Sequence, residues 1–506
     1  MNRNRLIQII MVGLLCLILT VGCKPAESAD DSTTASGTGE LGQSLAAAST
    51  KDLKQLLVMD WNEMSEADQD KLKYLTGAMS SADFNAKYQS MTASGTGFSS
   101  QSLLDDISNL IWGSWDKVDI PGAVCSNGSQ YKIFVQKSTG FINWLKGYTK
   151  NLIVYFEGGG ACWDYPSCTR QTGIRGAANP NGIPDNHMSI GDYLDPNKDG
   201  GSVNAASTPL ILRNHPTGDN VQTSNWNMVF IPYCTGDVHA GNKTVVYEDP
   251  TGVNPPITYH HKGAPNMEKV VDYLQDEFPN MKKLFVSGNS AGGAGSLVNY
   301  HFIRKALNPD KSYLLNDSGP VFDAPDSSYN HWPLQQQIKG SWNLDYILAK
   351  FSVDMPAFDF NGNFGVLMEA LADEWPNDIL GITLFTRDAN YSMYSYARFF
   401  DLDENIPEEK EQVLQLWRED VEAMMLKLDT IPNFSYFVPY YRKIIDSHCT
   451  TTVEFKGTEI LDTGIDVGDY IEDMLDDGSV TSYHEPDNPS DADVTDFWME
   501  LVELLM

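Results

Sequence analysis

Short apolar, β-branched runs alternate with helix-compatible stretches along most of the chain after Trp115. Uninterrupted apolar runs of this length are typical of strands that are buried on both faces of a sheet. Gly, Pro and Asn separate the runs from the stretches between them. The pattern predicts an α/β domain with a doubly wound, mainly parallel sheet. The predicted strands cover residues 131–135, 152–156, 228–231, 284–286, 313–315 and 382–385.

The amino-terminal part of the chain has a different pattern, with one long apolar run close to its start. Arg3 and Arg5 precede this run, which covers residues 6–22 and ends in small residues before Cys23. A basic start, an apolar centre and a small-residue end predict an export signal over residues 1–23. The end of the run resembles a bacterial lipoprotein processing site, so Cys23 is the expected lipidation residue. Plain secretion and a retained membrane anchor are the alternatives.

Further segments flank or extend the predicted sheet. Residues 24–50 are rich in Ser, Thr, Ala, Gly and Asp and predict a flexible linker. Residues 51–113 carry spaced apolar positions that predict a helical region, to which we assign no chemistry. The α/β domain is expected to cover residues 114–506. Within it, residues 462–477 and 497–505 predict amphipathic helices with solvated faces.

The composition indicates a large folded protein and excludes polyanionic partners. The chain has 506 residues, of which 42% are hydrophobic, and this is enough to form a large buried core. Lys and Arg number 35 against 68 Asp and Glu, which gives a formal net charge of −33 at pH 7. A field of this sign repels polyanions, so nucleic acid and anionic membrane surfaces are not expected as partners. A membrane contact is expected only through the lipid anchor, and the sequence does not predict an oligomeric state.

Export decides how the remaining cysteines are interpreted, because disulfides form in oxidising compartments. Five of the seven cysteines lie beyond Cys23, so two disulfides and one free thiol are expected. Cys162 and Cys168 are six residues apart and are expected to close a small loop. The chain has no C-x-x-C pair, so a zinc site is not expected. Residues 195–200 copy the first half of a calcium loop but lack its bidentate Glu at the twelfth position, which indicates a polar turn.

The strongest local motif is Gly-x-Ser-x-Gly over residues 288–292, which follows a predicted strand and precedes a helix-compatible run. A sharp strand-to-helix turn needs small residues on both sides of its central serine, and it presents the hydroxyl at the carboxyl end of the sheet. Ser290 is therefore the predicted nucleophile. The alternative is a glycine-rich turn that only permits close helix packing.

A second glycine-rich segment, residues 158–160, follows the predicted strand at residues 152–156. Attack on a carbonyl places negative charge on its oxygen, which backbone N–H groups can stabilise. The amides of Gly159, Gly160 and Ala291 are the predicted oxyanion hole. A phosphate-binding loop is the alternative, but no Gly-Lys-Ser/Thr follows and the charge balance opposes it.

A serine nucleophile needs a base, and the base needs an acid that orients it. In one known type of triad the serine comes first in the chain, the acid second and the histidine last. With this order, the candidate bases are the histidines after Ser290 and its helix: His331, His448 and His484. His448 lies in a short polar segment near the end of the predicted fold and is the expected base. His331 lies in an insertion-like segment where it could shape the pocket, and His484 lies in an acidic tail.

The acid is expected after a strand late in the sheet. Asp388 follows the predicted strand at residues 382–385 and meets this condition. Asp317 follows the preceding predicted strand and remains the alternative. The aspartate that does not act as the acid is expected to cap a turn or a helix.

Three segments in this order resemble those of the pectin acetylesterase and Notum-like carboxylesterases of the α/β-hydrolase superfamily. They read YFEGGGACW at residues 155–163, FIPYCTGDVHAG at residues 230–241 and GNSAGG at residues 288–293. The resemblance covers the chain from about residue 115 to its end. The middle segment looks closer to bacterial members than to plant or animal ones.

The resemblance implies an esterase with Ser290 as nucleophile, a glycine-rich oxyanion loop, and an acid and base that fall on Asp388 and His448. The reaction expected of these residues requires no metal or organic cofactor. The resemblance also implies two disulfides, Cys162 with Cys168 and Cys125 with Cys234.

Other positions depart from the family pattern or keep two interpretations. The segment around Asp388 lacks the usual flanking residues, and Cys449 has no evident partner, although relatives tend to pair the cysteine beside the histidine. Trp163, Asp237 and His239 are expected to border the site. For Asp237 and His239, a structural role in holding the glycine-rich loop is the alternative.

These features together predict an exported, lipid-anchored serine carboxylesterase of the cell envelope. It would remove an acyl group, with acetyl as the first expectation, from a carbohydrate or similar alcohol. Pectin is polyanionic, and the net charge argues against it. Longer acyl chains would need a deep apolar pocket, for which an aromatic segment is the candidate; it contains Trp332, Trp342, Phe351 and Phe358. A lipase or peptidase of the same superfamily and a non-catalytic surface binding protein are the alternatives.

Overall fold

The computed structural model describes residues 115–171, 176–188, 208–213, 221–403, 405–442, 444–476 and 481–486. Five of the predicted features lie outside the described residues: the export signal with Cys23, the linker at 24–50, the helical region at 51–113, the polar turn at 195–200 and the helix at 497–505. In the described part of the chain, no helix is both long enough and apolar enough to cross a membrane.

The described residues contain eleven strands. They are β1 (Asp116–Val124), β2 (Gln130–Gln136), β3 (Asn151–Phe156), β4 (Asn227–Ile231), β5 (Lys243–Tyr247), β6 (Ile257–His261), β7 (Lys283–Asn289), β8 (Lys311–Asp317), β9 (Ile379–Thr383), β10 (Phe434–Val438) and β11 (Tyr483–His484).

Nine of these strands form one sheet in the order β1-β2-β4-β3-β7-β8-β9-β10-β11. The pairs β1–β2 and β2–β4 are antiparallel, and every later pair in the order is parallel. The remaining two strands, β5 and β6, form a separate antiparallel pair. The prediction of a mainly parallel sheet is therefore confirmed.

The central strands are buried along their whole length. All residues of β3 and β4 are buried, and so are all residues of β7 and β8 after the first one of each. Because successive side chains point to opposite faces, a strand with no exposed position is covered on both sides. The uninterrupted apolar runs in the sequence have this cause.

Helices supply this cover and the walls of the site described below. They are α1 (Phe141–Lys146), α2 (Tyr165–Cys168), α3 (Gly263–Glu277), α4 (Ala291–Leu307), α5 (Trp332–Trp342), α6 (Asp345–Asp354), α7 (Leu367–Glu374), α8 (Ala389–Ser392), α9 (Arg398–Phe400), α10 (Pro407–Leu428) and α11 (Val467–Leu475). A π-helical turn, Met393–Ala397, joins α8 to α9. Short 3₁₀ turns cover Tyr148–Lys150, Pro209–Ile211, Gln222–Asn225, Phe364–Val366 and Ile444–Ser447.

The carboxyl-terminal part differs from the sequence prediction in two ways. His484 was expected in an acidic tail, but it lies in β11 and pairs with Val438 of β10. The strand expected at residues 382–385 is β9, which begins at Ile379 and ends at Thr383. The reason is that ladder pairing with β8 and β10 sets the ends of β9, whereas the apolar run continues into the buried loop that follows.

The parallel strands bring the predicted chemical groups to one edge of the sheet. The glycine-rich loop follows β3, Ser290 follows β7, Asp317 ends β8, Asp388 lies shortly after β9 and His448 lies in the segment after β10. The carboxyl ends of parallel strands meet at the same edge, where open α/β sheets bind their ligands. Groups that are distant in the sequence therefore converge at this edge.

Candidate active site

Ser290 lies at the sharp turn between β7 and α4. Its backbone has φ 55° and ψ −124°, which L-residues rarely adopt. The amide of Ser290 donates to the carbonyl oxygen of Asp317, at 2.8 Å. Because Asp317 ends the neighbouring strand β8, this hydrogen bond ties the strained turn to the sheet.

Close contacts require the glycines on either side of Ser290. A Cβ atom on Gly288 would lie 2.4 Å from the carbonyl oxygen of Gly292. A Cβ atom on Gly292 would lie 2.1 Å from the carbonyl oxygen of Phe156, the last residue of β3. Both distances are far below van der Waals contact, so the Gly-x-Ser-x-Gly pattern lets α4 begin directly against the ends of the strands.

The glycine-rich loop begins directly after β3 and runs beside this turn. Gly159 and Gly160 have φ values of 129° and 86°, which glycine adopts without steric strain. The amide of Gly158 donates to Oδ1 of Asn289, at 3.1 Å, and ties the loop to the residue before Ser290. Among the described residues, no acceptor takes up the amides of Gly159 and Gly160. Gly160 lines the cavity that contains Ser290, and an oxyanion hole formed by these amides stays a prediction.

A buried carboxylate, which the sequence analysis missed, anchors the start of the loop. Glu157 is fully buried, and Oε2 accepts hydrogen bonds from Nδ2 of Asn179 and the amide of Tyr233, at 2.8 and 2.7 Å. Nε2 of His187 lies 3.2 Å from Oε1. The sequence signal for this role is a charged residue directly after an apolar strand.

Asp237 and His239 make structural contacts. Nε2 of His239 donates to the carbonyl oxygen of Glu157 at 3.0 Å, which holds the glycine-rich loop. Burial raises the pKa of Asp237 to about 6 and lowers that of His239 to about 4. Neither side chain lines the cavity that contains Ser290, whereas Val238 between them does. The carboxylate of Asp237 accepts hydrogen bonds from Thr235, Gly241 and Gly263.

His448 and Asp388 form a hydrogen-bonded pair. Nδ1 of His448 lies 2.8 Å from Oδ2 of Asp388, and both residues are buried. Because a carboxylate only accepts, Nδ1 carries the proton and Nε2 is left as the basic nitrogen. Burial opposes a charge on the ring, but the Asp388 carboxylate outweighs it and holds the pKa of His448 well above its ordinary value.

Asp388 is itself fixed by the start of α8. Its Oδ1 accepts hydrogen bonds from the amides of Asn390 and Tyr391, at 3.0 and 2.8 Å. These two residues line the same cavity as Ser290, and the rings of Tyr391 and His448 lie 6.3 Å apart. Within the part of the chain that the structure describes, His448 has no hydrogen bond to Ser290. Such bonds often tighten only when substrate binds, so a bond between His448 and Ser290 stays a prediction.

Asp317, the alternative acid, contacts the loop that carries His448 rather than the imidazole. Oδ1 of Asp317 accepts from the amide of Thr450 at 2.9 Å, and Oδ2 accepts from the amide of Thr451 at 3.0 Å. Both threonine hydroxyls also bond to this carboxylate, at 3.2 and 2.6 Å. Burial raises the pKa of Asp317 although these bonds oppose the rise. No sequence pattern pointed to the two threonines.

Ser290 lies in the wall of an apolar cavity. The cavity has a volume of about 110 Å³. Gly160, Ala161, Trp163 and Ala291 line the wall with Ser290, and side chains from α5, α6 and the segment after them line much of the rest. These include Leu334, Trp342, Leu348, Phe351, Phe360 and Leu367. Its lining suits an apolar ligand.

The aromatic segment expected to form a pocket does so in part. Trp342 and Phe351 line the cavity, whereas Trp332 and Phe358 are not among its lining residues. Nε1 of Trp342 donates to the carbonyl oxygen of Cys162 at 2.7 Å, so the cavity wall is bonded to the segment after the glycine-rich loop. His331 also lines the cavity.

Two disulfides and one free thiol are present among the described cysteines. Cys162 bonds to Cys168 and Cys125 bonds to Cys234, which are the two pairs that the family resemblance implies. Cys449, beside His448, is buried and free. Burial raises the pKa of the Cys449 thiol, so it stays protonated at neutral pH.

Comparisons with known proteins identify relatives of the chain. Residues 202–347 match the family model described as Pectinacetylesterase. The zebrafish (Danio rerio) palmitoleoyl-protein carboxylesterase notum1a and the human NOTUM are each 26% identical over 185 residues, or 36% of this chain. Pectin acetylesterase 7 of Arabidopsis thaliana is 27% identical over 188 residues, or 37% of this chain. The matches span 30% of the length of these Notum proteins and 39% of the plant protein.

A crystal structure of the Drosophila Wnt deacylase Notum, crystal form I, aligns with a TM-score of 0.47 and 18% identity. The alignment covers 72% of this chain and 93% of the Notum chain.

The family model ends well after Ser290, and the glycine-rich loop and the segment after β4 carry the other two motifs of the resemblance. The sheet presents all three motifs at the carboxyl ends of its strands. The chain is therefore similar to pectin acetylesterases and to Notum carboxylesterases over these segments, and its mainly parallel sheet is that of an α/β-hydrolase-like fold.

Proposed function

We propose that this protein is an exported carboxylic ester hydrolase in which Ser290, His448 and Asp388 transfer an acyl group to water. The observation that carries the proposal is the position of Ser290, at a strained turn in the wall of an apolar cavity and beside the glycine-rich loop. The hydrogen-bonded pair of Asp388 and His448 supplies an oriented base. The two disulfides support export, because such bonds persist in oxidising compartments.

Each group has a defined part in the proposed reaction. Oγ of Ser290 attacks the ester carbonyl carbon while Nε2 of His448 accepts the hydroxyl proton. The amides of Gly159, Gly160 and Ala291 stabilise the charge that develops on the carbonyl oxygen. His448 then gives the proton to the departing alcohol, which leaves an acyl-enzyme. A water molecule that loses its proton to His448 releases the acid and restores Ser290.

The cavity favours an acyl group longer than acetyl. Ser290 and Ala291 lie in its wall, so the carbonyl carbon of a bound ester would be at the cavity and its acyl chain would extend into it. Acetyl, the first expectation from the sequence, would leave most of this apolar surface uncovered, and burying a chain on that surface adds binding free energy with each methylene. The relatives differ in the same respect, since their names specify palmitoleoyl and acetyl esters.

The alcohol part of the substrate is proposed to be neutral, such as a carbohydrate or a hydroxyl of a protein. The net charge of −33 disfavours polyanionic pectin. The same nucleophile and base could serve a lipase or a peptidase. Parallel assays on esters and amides would separate these activities.

Covalent labelling tests the nucleophile directly. A fluorophosphonate probe is expected to label the wild-type protein and not Ser290→Ala, whose kcat on p-nitrophenyl esters should fall by on the order of 10⁴ or more. Ser287→Ala is the matched control, because it removes a buried, unpaired hydroxyl from the same strand and should keep both labelling and turnover. Equal labelling of Ser290→Ala, or equal hydrolysis, would contradict the assignment. A wild-type protein that takes up no label would instead indicate a binding protein on this scaffold.

A further inference from the structure

A second pocket lies next to the apolar cavity that contains Ser290. We call it the α4 groove; it is lined by residues of α3, α4 and α6 and has a volume of about 550 Å³. Its apolar lining includes Met267, Val271, Phe302, Ala306, Ile347 and Val353. Along α4, the lining of the cavity ends at Val298 and the lining of the groove begins at Asn299. The cavity therefore follows the first half of this helix, and the α4 groove follows the second half.

The wall between the cavity and the α4 groove is formed by α6 and α4. Ile347 of α6 is buried and lines both pockets. Its neighbours on α6 divide between the two, since Leu348 and Phe351 line the cavity and Val353 lines the groove. The ring of Phe351 stacks on that of Phe302, which lines the groove, with 5.1 Å between the ring centroids. At Ile347 the two pockets are therefore separated by a single side chain.

An acyl chain held at Ser290 would run toward this wall. Ser290 immediately precedes α4, and Ala291 is the first residue of the helix in the cavity lining. Val298 follows seven residues later, which is about 10 Å along the helix axis. A chain that begins at the ester carbonyl and follows α4 through the cavity therefore approaches Ile347. Its far end would meet a packed hydrocarbon side chain, with the α4 groove on the other side.

We propose that Ile347 is a specificity-determining residue that sets the longest acyl chain the enzyme accepts. The proposal rests on the esterase function proposed above, because the chain is the acyl part of that substrate. A chain that ends before Ile347 gains binding with each methylene, since it covers apolar surface of the cavity. A longer chain has to displace a packed side chain, which is unfavourable. With a smaller residue at this position, the apolar lining of the α4 groove would receive the end of the chain.

A series of p-nitrophenyl esters from acetate to palmitate tests this limit. For the wild-type protein, kcat/KM is expected to rise about 4-fold with each methylene and then to fall sharply at one chain length. Ile347→Ala is expected to move the fall to chains several methylenes longer. On the first ester beyond the wild-type limit, its kcat/KM should exceed that of the wild-type protein by about 10-fold or more, which corresponds to two or more further buried methylenes.

Two controls separate the opening of the wall from a mere gain of volume. Leu348→Ala removes the same number of carbon atoms from the next residue of α6, which lines the cavity and not the groove. It should move the limit only by the few methylenes that refill the lost volume. Ala306→Trp fills the α4 groove at a residue that does not line the cavity. Alone it should leave the wild-type limit unchanged, and combined with Ile347→Ala it should abolish the gain on long esters.

A second readout does not need turnover. Calorimetry of unbranched methyl ketones of increasing length with Ser290→Ala reports the same limit as binding. Ile347→Val removes one carbon atom and keeps the test available if Ile347→Ala does not fold; it should move the limit in the same direction by a smaller step. A wild-type profile without a fall would overturn the proposal, and so would a limit in Ile347→Ala no longer than that in Leu348→Ala. If no variant hydrolyses the esters but Ile347→Ala still moves the ketone limit, the esterase function fails and the role of Ile347 stands.

Discussion

Replacement of Asp317 by Asn tests whether this carboxylate positions the catalytic loop or acts as the triad acid. In the structure it accepts hydrogen bonds from the amides and hydroxyls of both Thr450 and Thr451, two and three residues after His448. The asparagine side chain has nearly the same shape but only one oxygen. One of the two threonine amides would therefore face an N–H₂ group in place of an acceptor.

The size of the effect follows from these contacts. A threonine hydroxyl can turn and accept from the new N–H₂ group, but a backbone amide can only donate. The buried amide that loses its acceptor therefore costs about 1–3 kcal/mol of stability. The loop is expected to move to relieve this contact, and a displacement of about 1 Å at a catalytic group can cost roughly 10²-fold in rate. We expect kcat of Asp317→Asn to fall about 10- to 100-fold with KM nearly unchanged. Asp388→Asn should cost far more, on the order of 10⁴-fold, because it changes the tautomer of His448.

Steady-state kinetics on one p-nitrophenyl ester across a range of pH would measure the fall in kcat. Urea unfolding would measure the loss of stability. The acid limb of the kcat/KM profile should stay at the wild-type position in Asp317→Asn, because Asp388 still contacts His448. Asp249→Asn is the matched control. Its carboxylate accepts four hydrogen bonds from Thr251 and Asn254 in a turn away from the site, so its loss should affect stability and not kcat.

Two results would refute this account of Asp317. A loss near 10⁴-fold with a shifted acid limb would make Asp317 the acid that governs the His448 pKa. An unchanged kcat would mean that the position of His448 does not depend on the carboxylate of Asp317.

Two further predictions concern the pH dependence and the cavity. In the wild-type protein kcat/KM should rise with pH through a His448 pKa that lies above the ordinary value, because the protonated ring cannot act as base. In Asp388→Asn, burial without the opposing carboxylate lowers that pKa, so the acid limb of the pH–rate profile should move to lower pH; an unmoved limb would contradict the pairing. Val298→Phe places a larger side chain in the cavity wall and should reduce kcat/KM about 10-fold or more for long-chain p-nitrophenyl esters, with little change for the acetate. An equal loss on the acetate would contradict an acyl chain in the cavity.

The central sheet could be predicted because its cause is local in the sequence. Because β3, β4, β7 and β8 are covered on both faces, their central residues are apolar and appear in the sequence as continuous apolar runs. The turn at Ser290 could be predicted for a similar reason. A Cβ atom on either of its two glycines would lie 2.1–2.4 Å from a neighbouring backbone oxygen, so the fold requires glycine at both positions. The edge strand β11 has only two residues and no comparable pattern.

The supporting contacts of the site could not be predicted, because they join residues distant in the chain. Asp317 bonds to a loop more than 130 positions later, and Glu157 bonds to Tyr233 at a separation of 76. Any aspartate or glutamate could make such bonds, and the partners are mostly backbone amides that carry no sequence signal.

The distribution of the candidate groups over separate strands has a consequence for partial chains. The segment that matches the family model, residues 202–347, contains Ser290 but neither the loop of Gly159 nor the pair of Asp388 and His448. A proteolytic fragment or an interrupted translation product that ends before β10 would hold the reactive hydroxyl without its base. In the proposed mechanism, the nascent polypeptide therefore gains turnover only when its last strands have docked, so the order of the groups along the chain delays hydrolysis until the fold is complete.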